Sequence, residues 1–93
     1  MTVDEIKNKL IELVPKYYIT RMVLFGSRAD GTNRQDSDVD LILEFSIPVS
    51  LITLSRIRLD MESVLGLGVD IVHGPIRDTD ILEINKEVVL YAA

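Results

Sequence analysis

The chain has 93 residues, which is enough for one domain, residues 1–93, but not for a separate substrate domain. Hydrophobic residues make up 47% and charged residues 27%, as is usual for a soluble globular protein. It has no apolar run long enough to span a membrane, no signal peptide pattern and no cysteine. We therefore expect a cytoplasmic protein without membrane contact, and the net charge of −5 argues against direct nucleic-acid binding.

The first half of the chain predicts one helix and two strands. Thr2, with Glu5 three residues later, forms a capping-box pattern, and apolar residues then recur at helical spacing. Two short apolar segments flank a polar loop, which has room for one helical turn after Ser27. The predicted elements are a helix over residues 3–17, a strand over 21–25, a loop over 27–37 and a strand over 38–45.

The second half predicts two helices and two further strands. Ser50 is a suitable N-cap for a helix, and Gly66 stands just beyond its expected end. The predicted elements are a helix from Leu51 to about Leu65, a strand over 69–73, a helix from Asp78 or Thr79 to about Glu87 and a strand over 88–91. This order predicts an α/β fold, in which helices pack on one face of a small mixed sheet of three to four strands.

Two aspartates open the second predicted strand. Because residues two apart on a strand point to the same face, Asp38 and Asp40 project together, away from the helices. Paired carboxylates suit a hard cation such as Mg²⁺, which binds one or two carboxylates together with substrate phosphates. Asp70 occupies a similar place in the third predicted strand and can supply a third ligand if the two strands are neighbours.

Gly26 and Ser27 lie where the first predicted strand ends and the chain turns. A glycine lets the backbone approach a ligand closely, and the N–H groups of a following helical turn, with the Ser27 hydroxyl, can bind an anion. A phosphate site that faces a carboxylate-metal site predicts phosphoryl or nucleotidyl transfer.

Each of these residues also has an ordinary structural explanation. The alternatives are a plain strand end at Gly26 and Ser27, a cap or turn at Asp38, an ion pair of Asp40 with Arg28 or Arg34, an edge-strand charge at Asp70 and a solvated loop charge at Arg28. The charged residues of the predicted helix that begins at Leu51 are expected to form a solvated face; they are Arg56, Arg58, Asp60 and Glu62.

The pair Gly26-Ser27, followed after ten residues by Asp38-Val39-Asp40, resembles the G-S-x10-D-x-D signature of nucleotidyltransferases related to DNA polymerase beta. The resemblance is to the small stand-alone branch, the minimal nucleotidyltransferases, and runs through nearly the whole chain. The segments that carry it are FGSRA, SDVDLIL, VDIV and INKEVVLY. It implies the nucleotidyltransferase fold and the transfer of a nucleoside monophosphate, AMP if the donor is ATP, from a triphosphate to a hydroxyl.

The resemblance also implies roles for particular residues. Asp70 would lie nearest the acceptor hydroxyl and assist its deprotonation. The cofactor would be Mg²⁺, as two ions, with Mn²⁺ as a substitute. The implied residues are Asp38, Asp40 and Asp70 as catalytic residues and metal ligands, and Gly26, Ser27 and Arg28 as nucleotide-binding residues.

Small members of this branch commonly pair with a helical HEPN-type toxin as its antitoxin, and some attach AMP to a toxin tyrosine. The resemblance therefore implies a protein acceptor of that kind. We expect Ile47, Val49 and Leu51 to lie near the rim of the site and to contact the partner. The alternative is a binding module that neutralises its partner by occlusion, with the site binding a nucleotide or nothing.

Overall fold

The computed structural model describes residues 1–75 and 86–93, which form four helices and four strands. In chain order they are α1 (Val3–Leu10), α2 (Leu13–Lys16), β1 (Ile19–Phe25), α3 (Ser27–Asp30), β2 (Val39–Phe45), α4 (Leu51–Leu65), β3 (Val69–His73) and β4 (Val88–Ala92). The predicted α/β class is confirmed. In the part of the chain that the structure describes, no helix is long and apolar enough to cross a membrane.

The four strands form one mixed sheet in the order β3-β2-β1-β4. Strand β1 is antiparallel to both β2 and β4, whereas β2 and β3 are parallel. A parallel pair cannot be joined by a tight hairpin, and α4 provides the crossover between these two strands. The sheet therefore brings the starts of β2 and β3 to the same edge.

The core lies between the helices and one face of the sheet. On β2, Leu41 and Leu43 are fully buried in this core, while Asp40 lies on the opposite face. The predicted apolar face of α4 is confirmed; its members are Leu54, Ile57, Met61 and Leu65. Ser50 caps this helix by accepting a hydrogen bond from the Thr53 N–H at 3.1 Å, and Gly66 ends it in the left-handed conformation.

The N-terminal helix is broken, unlike the single helix that the sequence predicts over residues 3–17. Its start is confirmed, because Thr2 and Glu5 form both hydrogen bonds of a capping box at 3.1 Å. Helix α1 ends at Leu10, and α2 begins at Leu13. The break has a local cause, because Pro15 has no N–H to donate to the carbonyl four residues earlier.

The prediction of a last helix falls mostly outside the described residues. Lys86 and Glu87, which the sequence places at its end, belong to no helix. The strand predicted over residues 88–91 is confirmed as β4, which pairs with β1 at one edge of the sheet.

The sequence suggested that the charged face of α4 is solvated, but two of its acidic residues form hydrogen bonds to other elements. Asp60 accepts hydrogen bonds from the Tyr17 hydroxyl at 2.6 Å and from the Lys16 ammonium at 2.8 Å, so it joins α4 to α2. Glu62 accepts one from the Val69 N–H at 2.9 Å and holds the start of β3. The hydrogen bond to Asp60 also raises the pKa of Tyr17.

Replacing Tyr17 with Phe should lower the melting temperature, because it removes one of the two donors to Asp60. The expected decrease at pH 7 is roughly 4 °C, as for the loss of one hydrogen bond in a domain of this size. Hydrogen bonds from Lys16 and Tyr17 lower the pKa of Asp60, so their stabilising effect should fade as the pH falls below the ordinary value of 3.8. Thermal melts of Tyr17→Phe between pH 2.5 and 7 test this.

Tyr18→Phe is the matched control, because Tyr18 is 58% exposed and adjacent in sequence. An equal loss of stability in both variants would contradict a specific role for the Tyr17 hydroxyl.

Candidate active site

The parallel register of β2 and β3 places Asp40 directly beside Asp70. Neighbouring strands lie about 4.8 Å apart, so the two carboxylates emerge side by side on the face opposite the helices. Asp40 is also paired with Phe25, the last residue of β1, so the site lies at the edge where α3 begins. The condition that the sequence left open, that the third strand lies beside the second, is fulfilled.

Asp38 lies just before β2 and is exposed to solvent. The next residue is fixed to the segment before β3, because the Val39 N–H donates to the Gly68 carbonyl at 2.8 Å. The Asp38 side chain lies against the α-carbon of Gly68, where an added Cβ would overlap its Oδ1. Sequence reasoning missed Gly68, whose only signal is its position two residues before Asp70.

The three carboxylates interact through their charges. The pKa of Asp40 is raised, first by partial burial and then by the negative charges of Asp70 and Asp38. The Asp70 carboxyl adds to this shift by accepting a hydrogen bond from the protonated form. The structure therefore brings together all three predicted carboxylates.

Within the described part of the chain, three ion pairs are formed, and none of them involves Asp40. The alternative, an ion pair of Asp40 with Arg28 or Arg34, is therefore wrong. Among residues 1–75 and 86–93 no cationic side chain pairs with the three carboxylates, which favours a cation from outside this part of the chain.

The donor chemistry fits Mg²⁺ as an ion shared with a substrate. Among residues 1–75 and 86–93, no three acidic, histidine or cysteine side chains are arranged to hold a metal ion by themselves. Mg²⁺ needs no such enclosure, because it binds one or two carboxylates and completes its shell with waters and substrate phosphates.

Gly26 is required by Asp40 as well as by its own backbone conformation. Its φ of 75° is in the region that favours glycine, and it forms the N-cap of α3. An added Cβ would overlap Oδ2 of Asp40 and lie 3.2 Å from its Cγ. The sequence predicted that this glycine lets a phosphate approach the backbone. The structure shows that the lack of a side chain also leaves space for the Asp40 carboxylate.

Ser27 begins α3 and is half-buried. The first N–H groups of a helix have no partner within it and remain available to other acceptors. The Ser27 carbonyl accepts hydrogen bonds from Thr32 N–H at 3.0 Å and Asn33 N–H at 3.1 Å, so the residue also anchors the loop after α3. Its contact with a nucleotide stays a prediction.

Arg28 is buried, with only 4% of its surface exposed, so it is not a solvated loop charge. Its guanidinium donates to the carbonyls of Ser37 at 3.0 Å, Gln35 at 3.1 Å and Met1 at 3.4 Å. These bonds hold the loop that leads to Asp38. They favour a role for Arg28 in shaping the site. A direct contact of Arg28 with a nucleotide stays a prediction, which its hydrogen bonds to these three carbonyls do not support.

The apolar residues expected at the rim lie elsewhere. Ile47, Val49 and Leu51 follow the C-terminal end of β2, and about 17 Å of extended strand separates Phe45 from Asp40. Val49 moreover packs against the core. The expectation was wrong because it ignored the direction in which β2 runs.

Replacing Asp40 with Asn should stabilise the fold at neutral pH. Since the pKa of Asp40 is raised in the folded state, its ionisation destabilises the protein as the pH rises above the ordinary value of 3.8. Asn removes this charge, so the melting temperature should increase at pH 7 and match that of the unmodified protein near pH 3. Thermal melts across this range measure the effect.

Asp36→Asn is the control, because Asp36 is an exposed aspartate of the nearby loop. A clear fall in the melting temperature of Asp40→Asn at pH 7 would show instead that Asp40 is a structural residue.

Comparison with known proteins agrees with this geometry. The family model of the nucleotidyltransferase domain matches residues 3–91. A Methanocaldococcus jannaschii protein, provisionally named a protein adenylyltransferase, is 38% identical over 71 residues, which cover 76% of each chain. The protein adenylyltransferase MntA of Thermococcus cleftensis is 33% identical over 76 residues, with 77% of each chain covered.

The fold is also found in a solved complex of a tri-AMPylated Shewanella oneidensis HEPN toxin with an MNT antitoxin. One chain of that complex is similar with a TM-score of 0.73 and 19% identity, covering 97% of this chain and 72% of that one. Because the family model spans residues 3–91 and the relatives extend over most of the chain, this protein belongs to the nucleotidyltransferase family, and the resemblance inferred from Gly26-Ser27 and Asp38-Val39-Asp40 is confirmed.

Proposed function

We propose that the protein transfers AMP from ATP to a tyrosine hydroxyl of a HEPN-type toxin and so acts as its antitoxin. The observation that carries this proposal is the register of β2 and β3, which places Asp40 beside Asp70 with Asp38 at the same edge. The names of the relatives support a protein acceptor, since both relatives described above are named protein adenylyltransferases. We place the reaction in the cytoplasm.

The proposed metal ligands are Asp38, Asp40 and Asp70, holding one or two ions of Mg²⁺, for which Mn²⁺ can substitute. When bound, the metal would supply positive charge that neutralises the triphosphate and the departing pyrophosphate. The raised pKa of Asp40, caused first by partial burial and then by the charges of Asp70 and Asp38, supports this assignment, because a bound cation would favour the ionised form of Asp40.

Asp70 is the proposed general base. It lies on the edge strand β3 and is exposed, so a hydroxyl from another protein can reach it. The hydroxyl oxygen forms a bond with the α-phosphorus, the bond from that phosphorus to pyrophosphate breaks, and the hydroxyl proton passes to the Asp70 carboxylate. Positioning and neutralisation of charge, rather than covalent chemistry by the protein, then account for most of the catalysis.

The triphosphate is proposed to lie against the start of α3. The Ser27 hydroxyl and the first N–H groups of this turn donate to phosphate oxygens, and Gly26 lets the backbone come close. Arg28 contributes indirectly, by holding the carbonyls of the loop that ends at Asp38.

The surface beside Asp70 suits an aromatic acceptor. Val72 lies two residues after Asp70, hence on the same face of β3, and is 39% exposed. An apolar side chain next to a carboxylate can contact the ring of a tyrosine while the carboxylate accepts its proton. A docked toxin would deliver this hydroxyl at a high effective concentration.

Occlusion without catalysis is the alternative function, and one observation favours it. Helix α4 exposes three large apolar side chains away from the carboxylates, namely Leu51 at 81%, Ile52 at 72% and Leu59 at 57%. Such a surface can hold a partner whether or not the site reacts.

The decisive experiment incubates the protein with its toxin, ATP and Mg²⁺ and determines the mass of the toxin by mass spectrometry. We expect AMP units on the toxin, and their loss with Asp38→Asn combined with Asp40→Asn, which removes two of the three carboxylates. Asp36→Asn should leave the transfer unchanged. A toxin that is silenced but unmodified would refute the transfer and establish occlusion.

Kinetics can separate the roles of the two residues at the strand end. Ser27→Ala should lower kcat/KM for ATP by about tenfold, the value of one hydrogen bond to a charged group. Gly26→Val should abolish the transfer at any ATP concentration, because the new side chain would displace Asp40 as well as obstruct the phosphates. If Gly26→Val kept full activity, both roles of this glycine would be disproved.

A further inference from the structure

We propose that Gly68 is a positioning residue: because it has no side chain, the Asp38 carboxylate can lie in the site. The inference rests on the proposed function, in which Asp38 is a metal ligand. Gly68 itself lies outside the Gly-Ser and Asp-x-Asp segments that carry the family resemblance.

The space beside Gly68 is filled by the Asp38 carboxylate. A Cβ on residue 68 would overlap Oδ1 of Asp38 and would lie 3.1 Å from Cγ and 3.7 Å from Oδ2. These three atoms are the nearest ones that the added carbon would meet, and all belong to Asp38. The bare α-carbon of Gly68 thus forms one wall of the place that the carboxylate occupies.

The backbone conformation does not explain this glycine. Gly31 and Gly66 have φ values of 82° and 71° and nothing within 4 Å of an added Cβ, so their conformations favour glycine although space is available. Gly68 is not among the positive-φ glycines, so its backbone can accept alanine. What a side chain there would meet is the neighbouring Asp38 carboxylate.

A backbone hydrogen bond fixes the distance between the two residues. The Gly68 carbonyl accepts from the N–H of Val39, the residue directly after Asp38, at 2.8 Å. Asp38 therefore cannot retreat from residue 68 by a shift of its own backbone without breaking this bond. Its remaining response to a side chain at residue 68 is to rotate its carboxylate into solvent, which its exposure allows.

Gly26 shows the same arrangement for Asp40, with an added Cβ overlapping Oδ2. Two of the three clustered carboxylates therefore lie against the α-carbon of a glycine, one from the end of β1 and one from the segment before β3. The consequences of substitution differ, because Gly26 also has a φ of 75° whereas Gly68 carries no such constraint. Alanine at residue 68 should therefore affect the reaction more than the fold.

The test is Gly68→Ala in the full chain. We expect transfer to the toxin to fall by about a hundredfold in kcat, as for a misplaced reacting group. The melting temperature and the KM for the toxin should stay close to the unmodified values. Mn²⁺ binding in the presence of α,β-methylene-ATP, followed by electron paramagnetic resonance, should weaken in parallel, and a crystal structure should show the Asp38 carboxylate rotated away.

A double-mutant cycle gives the matched control. In an Asp38→Ala background the overlap is absent, so adding Gly68→Ala should change neither Mn²⁺ binding nor residual transfer. In an Asp70→Ala background, Gly68→Ala should still weaken Mn²⁺ binding. Full transfer by Gly68→Ala, or effects of Gly68→Ala and Asp38→Ala that simply add, would overturn the inference.

Two further outcomes are also decisive. If Gly68→Ala fails to fold, the variant that combines it with Asp38→Ala must fold; failure of both would show that residue 68 is needed for another reason. If the unmodified protein neither transfers AMP nor binds Mn²⁺ with the analogue, the proposed function fails. The crystal structure of Gly68→Ala then decides the inference alone, because an unmoved Asp38 refutes it.

Discussion

The site depends on one constraint, the parallel pairing of β2 with β3 in the register that sets Asp40 beside Asp70. A slip of one residue would turn one of these carboxylates towards the helices. The register is held from the other face, where Val39 and Leu41 on β2 are fully buried in the core. The apolar pattern thus fixes the positions of the charges. The raised pKa of Asp40 reflects first its partial burial and then the negative charges of Asp70 and Asp38.

Around this pair, Arg28 and two glycines have different roles. The buried guanidinium of Arg28 is directed to loop carbonyls, not to the carboxylates. Gly26 and Gly68 provide space for Asp40 and Asp38 without adding positive charge. In the described part of the chain the cluster keeps its negative charge, which preserves its attraction for a cation brought with a triphosphate.

The sequence was sufficient for features that follow from local rules. Alternation predicted that Asp40 lies on the face opposite Leu41, although β2 begins at Val39 and leaves Asp38 just outside the strand. The caps Ser50 and Gly66 predicted the ends of α4. It failed where a contact joins distant segments. Nothing local indicates that Arg28, predicted as a nucleotide-binding residue, donates to three backbone carbonyls, or that Gly68 lies against Asp38.

The crossover from β2 to β3 determines when the carboxylates come together as the chain folds. Strands β1 and β2 pair across a shorter stretch of chain than β2 and β3, between which α4 lies. The contact between Asp40 and Asp70 therefore carries the larger loop-closure cost. A chain in which β3 is not paired with β2 keeps these two carboxylates apart, so the site exists only when the crossover is in place.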